Sequence, residues 1–330
     1  MQYTLRVAKH KVFLTGVIPD GGLRLVEEFC DADVWRQEAP PTHAEILTHT
    51  RGAEGLLSLL TDSIDEEIMG AASLLKVISN CAVGVDNVDV AAANARRIPV
   101  GNTPDVLTDA TADMAFALLL AAGRRVVEGD RYVRDGKWKT WDLQLLLGAD
   151  MVEATLGIIG FGRIGKAVAR RAEGFGMRVI YNDPSPETDP AAASVSLDDL
   201  LSESDFISLH VPLKADTHHM INQRALGLMK RNAVLINTSR GGVVDHQALY
   251  EALRSGRIFA AGLDVTEPEP INADSPLLGL PNCIVLPHLG SASQRTRDQM
   301  AQLAAHNLIA GLQGKRLPHC VNPQVYDTRS

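Results

Sequence analysis

Short apolar runs alternate with amphipathic stretches along the first hundred residues. The apolar runs include "KVFLTG" (11–16), "GLLSLL" (55–60) and "LKVISN" (75–80), and the amphipathic stretches include "GLRLVEEFC" (22–30) and "EEIMGAAS" (66–73). Strands that alternate with helices form a parallel sheet that is covered by helices. The pattern therefore predicts a first α/β domain.

A long helix is predicted over residues 102–125. In "NTPDVLTDATADMAFALLLAAGRR" apolar residues recur at helical spacing between Met114 and Ala122. Thr103 and Pro104 stand where a helix cap and a first-turn residue would be. We expect this helix to open a second domain.

The rhythm of strands and helices restarts at residue 155. The predicted strands are continuous apolar runs, which are typical of a parallel sheet buried on both faces; they are "TLGIIG", "MRVIYND", "DFISLHVP", "AVLINTS", "FAAGLDV" and "NCIVLPH". The amphipathic stretch 299–314 is remote from these strands in sequence, so we expect it to return to the first domain. The prediction is an α/β chain of two Rossmann-like, doubly wound parallel-sheet domains, residues 1–102 with 291–330, and residues 103–290.

Composition narrows the class of protein further. The formal net charge is −8, which leaves no basic excess for a general nucleic-acid or anionic-membrane surface. The four cysteines form no CxxC or Cys/His spacing, so we expect neither a metal site nor a disulfide framework. The apolar stretch "MAFALLLAA" (114–122) is shorter than the roughly 20 residues of a membrane helix, and the N-terminus leads into no signal-peptide core. We expect a soluble, cytoplasmic protein.

The stretch "GIIGFGRIGKAVARR" (157–171) carries a GxGxxG pattern in which Gly160, Gly162 and Gly165 follow a predicted strand and open a predicted helix. Asp183 ends the next strand, 23 residues after Gly160. In dinucleotide-binding folds the glycines admit the pyrophosphate to the helix N-terminus, and the acidic residue binds the ribose hydroxyls. The alternative is a structural turn, but this context favours a dinucleotide site.

Three further strand ends carry side chains suited to acid–base chemistry. Arg240 lies in "INTSRGGVVD", Asp264 and Glu269 lie in "GLDVTEPEP", and His288 lies in "NCIVLPHLGSAS". Taken singly, each is more simply a surface salt-bridge, solvated-loop or structural residue. The carboxyl ends of parallel strands share one sheet edge, however, where ligands bind. A histidine to exchange a proton, a carboxylate to orient it and an arginine to bind an anion suit hydride transfer between a nicotinamide and a 2-oxo or 2-hydroxy acid.

These four motifs together resemble the D-isomer-specific 2-hydroxyacid dehydrogenases over nearly the whole chain. The "NTPDVLTDATAD" helix start and "GKWKTW" (136–141) are most similar to the glyoxylate/hydroxypyruvate reductase branch. The resemblance implies a flavodoxin-like substrate domain built from both chain ends, an inserted NAD(P)-binding domain, a small 2-oxo or 2-hydroxy acid as substrate, and a homodimer.

The resemblance also implies roles for individual residues. Arg240 would bind the substrate carboxylate and polarise the carbonyl, His288 would be the acid/base, and Glu269 would be its partner. The N–H groups of Val83 and Gly84 in "NCAVGVDN" would hold the carboxylate, although this glycine could equally be a turn. The cofactor-binding residues would be Gly160, Phe161, Gly162, Arg163, Ile164, Gly165, Asp183, Val211, Pro212, Thr238, Asp264 and Gly290, with Asp264 orienting the nicotinamide carboxamide.

Trp138 and Trp141 in "GKWKTW" would ordinarily be packing residues, and for Trp138 we keep that interpretation. In the reductase branch this segment is similar to part of the dimer contact. The resemblance therefore implies that Trp141 reaches the substrate pocket of the neighbouring subunit.

The residues around Asp183 predict NAD over NADP. No Arg or Lys stands in the six residues after Asp183, and Glu187 and Asp189 add negative charge where a 2′-phosphate would lie. If Asn182 faced the ribose instead, Arg163 could receive that phosphate.

Two other functions stay open at this point. Phosphite dehydrogenases share the same architecture, but their pattern has a lysine where this chain has Val83. Without that cation a phosphite dianion would be poorly held. Dinucleotide-sensing corepressors belong to the same family, but no segment here resembles their interaction tails. We therefore expect reduction of glyoxylate and hydroxypyruvate to glycolate and D-glycerate.

Overall fold

The computed structural model describes residues 9–186 and 189–327. The chain divides into two compact units, one made of Met1–Leu107 with Ser293–Ser330 and the other of Thr108–Ala292. The boundaries predicted from the sequence, 102/103 and 290/291, fall a few residues before these. Glu187, which the sequence places among the charges near a ribose, lies outside the described residues.

The first unit contains a five-stranded, wholly parallel sheet in the order β2-β1-β3-β4-β5. This is the flavodoxin-like strand order. Its strands are β1 (His10–Leu14), β2 (Cys30–Val34), β3 (Gly55–Ser58), β4 (Val77–Asn80) and β5 (Val100–Gly101). Its first helices are α1 (Asp20–Phe29), α2 (His43–Thr50), α3 (Glu66–Ala71) and α4 (Val90–Ala95).

The second unit contains a seven-stranded parallel sheet in the order β12-β11-β10-β9-β6-β7-β8. The order reverses beside β6, as in a doubly wound dinucleotide-binding sheet. The strands are β6 (Thr155–Ile159), β7 (Arg178–Asn182), β8 (Ala192–Ser194), β9 (Phe206–Leu209), β10 (Val234–Asn237), β11 (Ala260–Leu263) and β12 (Cys283–Val285). The helices are α5 (Thr108–Gly123), α6 (Val126–Arg134), α7 (Arg163–Glu173), α8 (Leu197–Glu203), α9 (Gln223–Leu228) and α10 (His246–Arg254).

The core of the second unit lies on both faces of its sheet. Every residue of β6, β9, β10 and β11 is buried. Because both faces are covered, these strands read as continuous apolar runs rather than as alternating patterns. The predicted fold class, two doubly wound parallel-sheet α/β domains, is confirmed.

The last helix, α11 (Gln294–Leu312), packs within the first unit, as its position in the sequence predicts. A Cβ atom on Gly22 of α1 would lie 2.4 Å from the Ala301 carbonyl oxygen, and one on Gly311 would lie 2.5 Å from Val77 Cβ. Glycine at both positions therefore permits the close approach of α11 to α1 and to β4.

The predicted start of the long helix is wrong. Thr103 and Pro104 do not cap it, because Asp105 takes a left-handed conformation (φ 70°) that no α-helix contains, and α5 begins only at Thr108. Among the described residues, none of the helices has the length and apolar character that crossing a membrane requires. The four cysteines are free thiols.

Candidate active site

The site residues of the second unit follow the carboxyl ends of neighbouring strands. Gly160 follows β6, Asp264 follows β11, and Arg240 lies three residues after β10. His288 lies three residues beyond β12, at the end of a short loop. Because these strands are parallel and adjacent, their loops share one edge of the sheet, which is where ligands bind in such folds.

The three glycines of the loop after β6 have different structural requirements. Gly160 has a positive φ of 92°, and a Cβ there would lie 2.5 Å from the His210 carbonyl oxygen. A Cβ on Gly165 would lie 2.2 Å from the Gly160 oxygen, whereas nothing lies within 4 Å of the Cβ position of Gly162. The loop thus combines a tight turn, an open face at Gly162 and close packing of α7, which fits a pyrophosphate at the helix N-terminus.

Asp183 lies directly beside this loop. Its carboxylate accepts the Phe161 N–H at 2.8 Å and the Ser185 N–H at 2.9 Å. The side chain of Asn182 turns elsewhere, because its amide donates to the Val195 carbonyl at 2.9 Å. The residue beside the glycine loop is therefore the acidic one, as the fingerprint predicts.

The remaining predicted cofactor residues surround the same edge. Val211 packs against Gly160 and is followed by Pro212, and Thr238 follows β10. Within the described part of the chain, the buried Thr238 hydroxyl has no hydrogen-bond partner. An orphaned hydroxyl at the sheet edge that also carries the open glycine loop fits a ligand rich in polar groups, such as a dinucleotide. Arg163 and Ile164 begin α7.

His288 and Glu269 form a tight pair. His288 Nδ1 lies 2.6 Å from Glu269 Oε1, and the second carboxylate oxygen of Glu269 accepts the Thr266 N–H at 3.3 Å. Burial raises the pKa of Glu269, but the hydrogen bond and charge of His288, the Thr266 N–H and the charge of Arg240 together outweigh it. The pKa of Glu269 therefore lies below its usual value. Glu269 is therefore ionised at neutral pH and able to hold an imidazolium.

Asp264 holds the turn that carries His288. Its carbonyl accepts the His288 N–H at 2.9 Å, and its carboxylate accepts the N–H groups of Leu289 and Gly290 at 2.6 and 2.7 Å. The side chain is 1% exposed, and burial raises its pKa above the usual value. His288 itself has a left-handed φ of 55°, which these three hydrogen bonds maintain.

Arg240 lies in the loop after β10 and directly precedes the glycine pair Gly241 and Gly242. The Asn237 amide donates to its carbonyl at 2.9 Å, and its own guanidinium donates to the Ser239 carbonyl at 2.8 Å. The charge of Arg240 also helps to lower the pKa of Glu269. A Cβ on Gly241 would lie 2.0 Å from the Thr266 carbonyl group, so glycine there lets the loop of Glu269 lie against the loop of Arg240.

Val83 and Gly84 belong to the first unit, in the loop that follows β4. Their carbonyl oxygens accept hydrogen bonds from the side chains of Asn102 and Asn80, at 2.8 and 2.9 Å. Sequence reasoning missed both asparagines. Each stands at or just after the end of a strand, the same signal that identified the other site residues.

Trp141 is 75% exposed, in the segment that follows α6. Trp138 is 57% exposed, so its predicted role as a packing residue is not met within one chain. Leu143 and Leu147 are also largely exposed. The segment therefore presents a run of large apolar side chains to solvent.

His218, His219 and Glu267 place possible metal-ligand atoms within 4.8 Å of one another. The two imidazole rings stack at 3.9 Å with nearly parallel planes, so an ion in the plane of one ring lies outside the plane of the other. Glu267 pairs with His219 at 2.9 Å, and that hydrogen bond lowers the pKa of Glu267. We interpret the cluster as an ion-pair network.

A doubly wound sheet that gathers a glycine loop, an arginine and a paired histidine and glutamate at one edge defines a dinucleotide-dependent oxidoreductase. The family model "D-isomer specific 2-hydroxyacid dehydrogenase, NAD binding domain" matches residues 116–290. The chain belongs to the D-isomer-specific 2-hydroxyacid dehydrogenase family.

Individual relatives cover almost the whole chain. A glyoxylate reductase of Korarchaeum cryptofilum is 52% identical over 326 residues, 97% of this chain and 98% of that protein. A solved structure from Thermus thermophilus is 50% identical with a TM-score of 0.90, covering 94% and 99% of the two chains. An NADPH-dependent glyoxylate/hydroxypyruvate reductase of Sinorhizobium meliloti, solved with NADP and malonate, is 32% identical with a TM-score of 0.85, covering 98% and 100%.

Proposed function

We propose that the protein reduces small 2-oxo acids, glyoxylate and hydroxypyruvate foremost, to glycolate and D-glycerate with NADH. The observation that carries the proposal is the 2.6 Å pair of His288 and Glu269 beside Arg240, at the edge of the sheet that also holds the glycine loop. The glyoxylate reductases at about 50% identity over the full chain support the choice of substrate.

The chemistry divides among three side chains. When bound, a reduced nicotinamide dinucleotide supplies the hydride that reaches the carbonyl carbon. His288 gives its proton to the carbonyl oxygen as negative charge develops there, and Glu269 stabilises the imidazolium before the transfer. Arg240 binds the carboxylate of the substrate and draws electron density from the carbonyl. The family resemblance adds the N–H groups of Val83 and Gly84, in the first unit, as donors to a substrate carboxylate.

Asp183 supports a preference for NADH over NADPH. Its carboxylate is fixed beside the glycine loop by two N–H groups, so it cannot turn away from a ribose without losing both. A 2′-phosphate a few ångströms away would meet a repulsion on the order of 1–4 kcal/mol. We therefore expect at least roughly tenfold higher kcat/KM with NADH.

The cofactor proposal is tested by kcat/KM for both dinucleotides in the wild type, in Asp183→Ala and in Glu173→Ala. Asp183→Ala should raise the NADPH-to-NADH ratio of kcat/KM about tenfold or more. Glu173→Ala, which removes an exposed charge at the end of α7 opposite to the glycine loop, should change it little. Equal use of both dinucleotides by the wild type, or an unchanged ratio in Asp183→Ala, would contradict the assignment.

The exposed apolar segment supports a homodimer. Trp138, Trp141, Leu143 and Leu147 are each more than half exposed, and large apolar side chains gathered in one segment mark interaction surfaces. A second copy of the chain is the partner that the family resemblance implies. In that dimer Trp141 would reach the substrate pocket of the partner.

Light scattering after size exclusion tests the dimer, with a monomer at micromolar concentration as the contradicting result. Trp141→Ala should change the preference between hydroxypyruvate and pyruvate more than it changes NADH binding. Trp138→Ala is the matched control and should alter stability of the dimer without altering that preference. Equal effects of Trp141→Ala on both substrates would limit Trp141 to packing.

The reaction itself is tested by following NADH absorbance with glyoxylate, hydroxypyruvate, pyruvate and phosphite in parallel. The proposal expects turnover with the first two. Turnover with phosphite alone would favour a phosphite dehydrogenase, and NADH binding without turnover of any of the four would favour a dinucleotide-sensing binding protein.

A further inference from the structure

Consecutive carbonyl groups in the loop after β4 accept hydrogen bonds from within the first unit. Asn102 Nδ2 donates to the Val83 carbonyl at 2.8 Å, and Asn80 Nδ2 donates to the Gly84 carbonyl at 2.9 Å. The preceding carbonyl, that of Ala82, accepts a backbone N–H at 2.8 Å. Three consecutive peptide oxygens are therefore all held by hydrogen bonds.

The N–H groups of Val83 and Gly84 differ from the carbonyl groups of the same two residues in their hydrogen bonding. Among the residues that the structure describes, none accepts a hydrogen bond from the N–H of Val83 or of Gly84. In a trans peptide the C=O of one residue and the N–H of the next point in opposite directions. Because Asn102 fixes the Val83 carbonyl, it also fixes the direction in which the Gly84 N–H points.

Asn102 is itself rigidly placed. The amide of the wholly buried Asn307 donates to the Asn102 carbonyl at 2.9 Å, and the Asn102 N–H donates to the His319 carbonyl at 3.4 Å. A Cβ on the preceding Gly101 would lie 2.8 Å from Asn307 Cβ, so the chain is packed closely against α11 at this point. The amide that holds Val83 is therefore preorganised by contacts on its own backbone.

Asn80 is held equally firmly. It is wholly buried, and its Oδ1 accepts the Ser58 hydroxyl at 2.9 Å and the Asn87 amide at 3.2 Å. Asn87 also donates to the Leu59 carbonyl at 3.0 Å. Asn80 thus belongs to a hydrogen-bond network at the carboxyl edge of the five-stranded sheet, the edge at which Asn102 follows β5.

We infer that Asn102 is a positioning residue for the substrate carboxylate: its amide clamps the Val83–Gly84 peptide so that the Gly84 N–H is presented to the anion. The inference rests on the proposed function, in which these N–H groups bind the carboxylate. Backbone N–H groups that need no reorientation on binding hold an anion more strongly than mobile ones. Removal of the clamp should therefore weaken substrate binding and leave the dinucleotide site of the second unit unaffected.

The test compares Asn102→Ala and Asn102→Asp with the wild type in glyoxylate reduction. The alanine removes the donor, and the aspartate places an acceptor against the Val83 carbonyl, so KM for glyoxylate should rise in the order wild type, Ala, Asp, reaching at least tenfold. The kcat value should change less than threefold, and the Kd of NADH should not change. Asn322→Asp is the matched control, because Asn322 is a buried asparagine of the same unit whose amide holds the Ile98 carbonyl instead.

An unchanged KM in a folded Asn102 variant would overturn the inference, as would an equal rise of KM in Asn322→Asp. Thermal unfolding shows whether each variant is folded. If Asn102→Asp does not fold, the KM of Asn102→Ala alone tests the inference. The Kd of oxalate, measured by calorimetry with NADH present, separates the two proposals. If the wild type binds oxalate and Asn102→Ala does not, the clamp is supported even when no 2-oxo acid is turned over. If the enzyme turns over glyoxylate but the oxalate Kd is the same in Asn102→Ala, the clamp is contradicted and the proposed function is not.

Discussion

Asp264 accepts the backbone N–H of His288 at 2.9 Å through its carbonyl, and its carboxylate accepts the next two N–H groups along the chain. Glu269 then fixes the imidazole ring itself, at 2.6 Å. One acidic residue thus sets the backbone of His288 and another sets its side chain. This division of labour gives Asp264 a structural role within the chain, in addition to the cofactor contact that the family resemblance implies.

The charge of Glu269 should set the pH range of the reduction. The interaction with His288 lowers the pKa of Glu269, and Glu269→Gln removes the ionised carboxylate that makes this interaction. The acid-favoured limb of the kcat/KM profile should therefore move to lower pH by roughly one unit or more. Glu267→Gln is the control, because the Glu267 carboxylate meets His219 rather than His288. A pH profile of Glu269→Gln that coincides with the wild type would make Glu269 a structural residue only.

The planar fork of Arg240 should matter more than its charge. Arg240→Lys keeps the charge but loses bidentate hydrogen bonding, so kcat/KM for glyoxylate should fall roughly ten- to a hundredfold, with a raised KM. Arg257→Lys replaces another arginine of the same unit, which donates to the Gly227 carbonyl, and should behave like the wild type. If Arg240→Lys also did so, the carboxylate would have to be held elsewhere.

The buried His210 should make the fold sensitive to acid. Burial lowers the pKa of His210 to about 4, and within the described residues its Nδ1 has no hydrogen-bond partner. His210 therefore takes up a proton below about pH 6.5 in the unfolded chain, but only below about pH 4 in the folded protein. The free energy of unfolding should consequently fall by about 3 kcal/mol between pH 7 and pH 4 from this residue.

Urea unfolding of the wild type and of His210→Gln at both pH values measures that contribution. The variant should lose less stability on acidification, by about the same 3 kcal/mol. Identical losses in the two proteins would show that His210 is not the acid-sensitive group.

Continuous apolar strands made most of the fold predictable, and the exceptions have physical causes. Strand β2 has an alternating burial pattern at the edge of its sheet, so "CDADV" contains no apolar run. The start of α5 was misplaced because the left-handed turn at Asp105 carries no glycine to mark it.

The proposed catalytic set was predictable for a different reason. Arg240, Glu269 and His288 all follow strands of one parallel sheet, whose ends must lie along one edge. Asn102 also follows a strand, so its place at a sheet edge could have been predicted. Its proposed role could not, because its partner is a backbone carbonyl 19 residues earlier, and a backbone partner leaves no trace in the pattern of side chains.

The central claim, that His288 transfers the proton in reduction of a 2-oxo acid, is tested most directly by His288→Ala. Its kcat for glyoxylate should fall by two to four orders of magnitude, the usual contribution of a positioned acid, with the Kd of NADH nearly unchanged. His219→Ala is the matched control, because His219 is also left-handed and also paired with a glutamate, and it should keep wild-type activity. A folded His288→Ala protein that retains a tenth of the wild-type kcat would contradict the account.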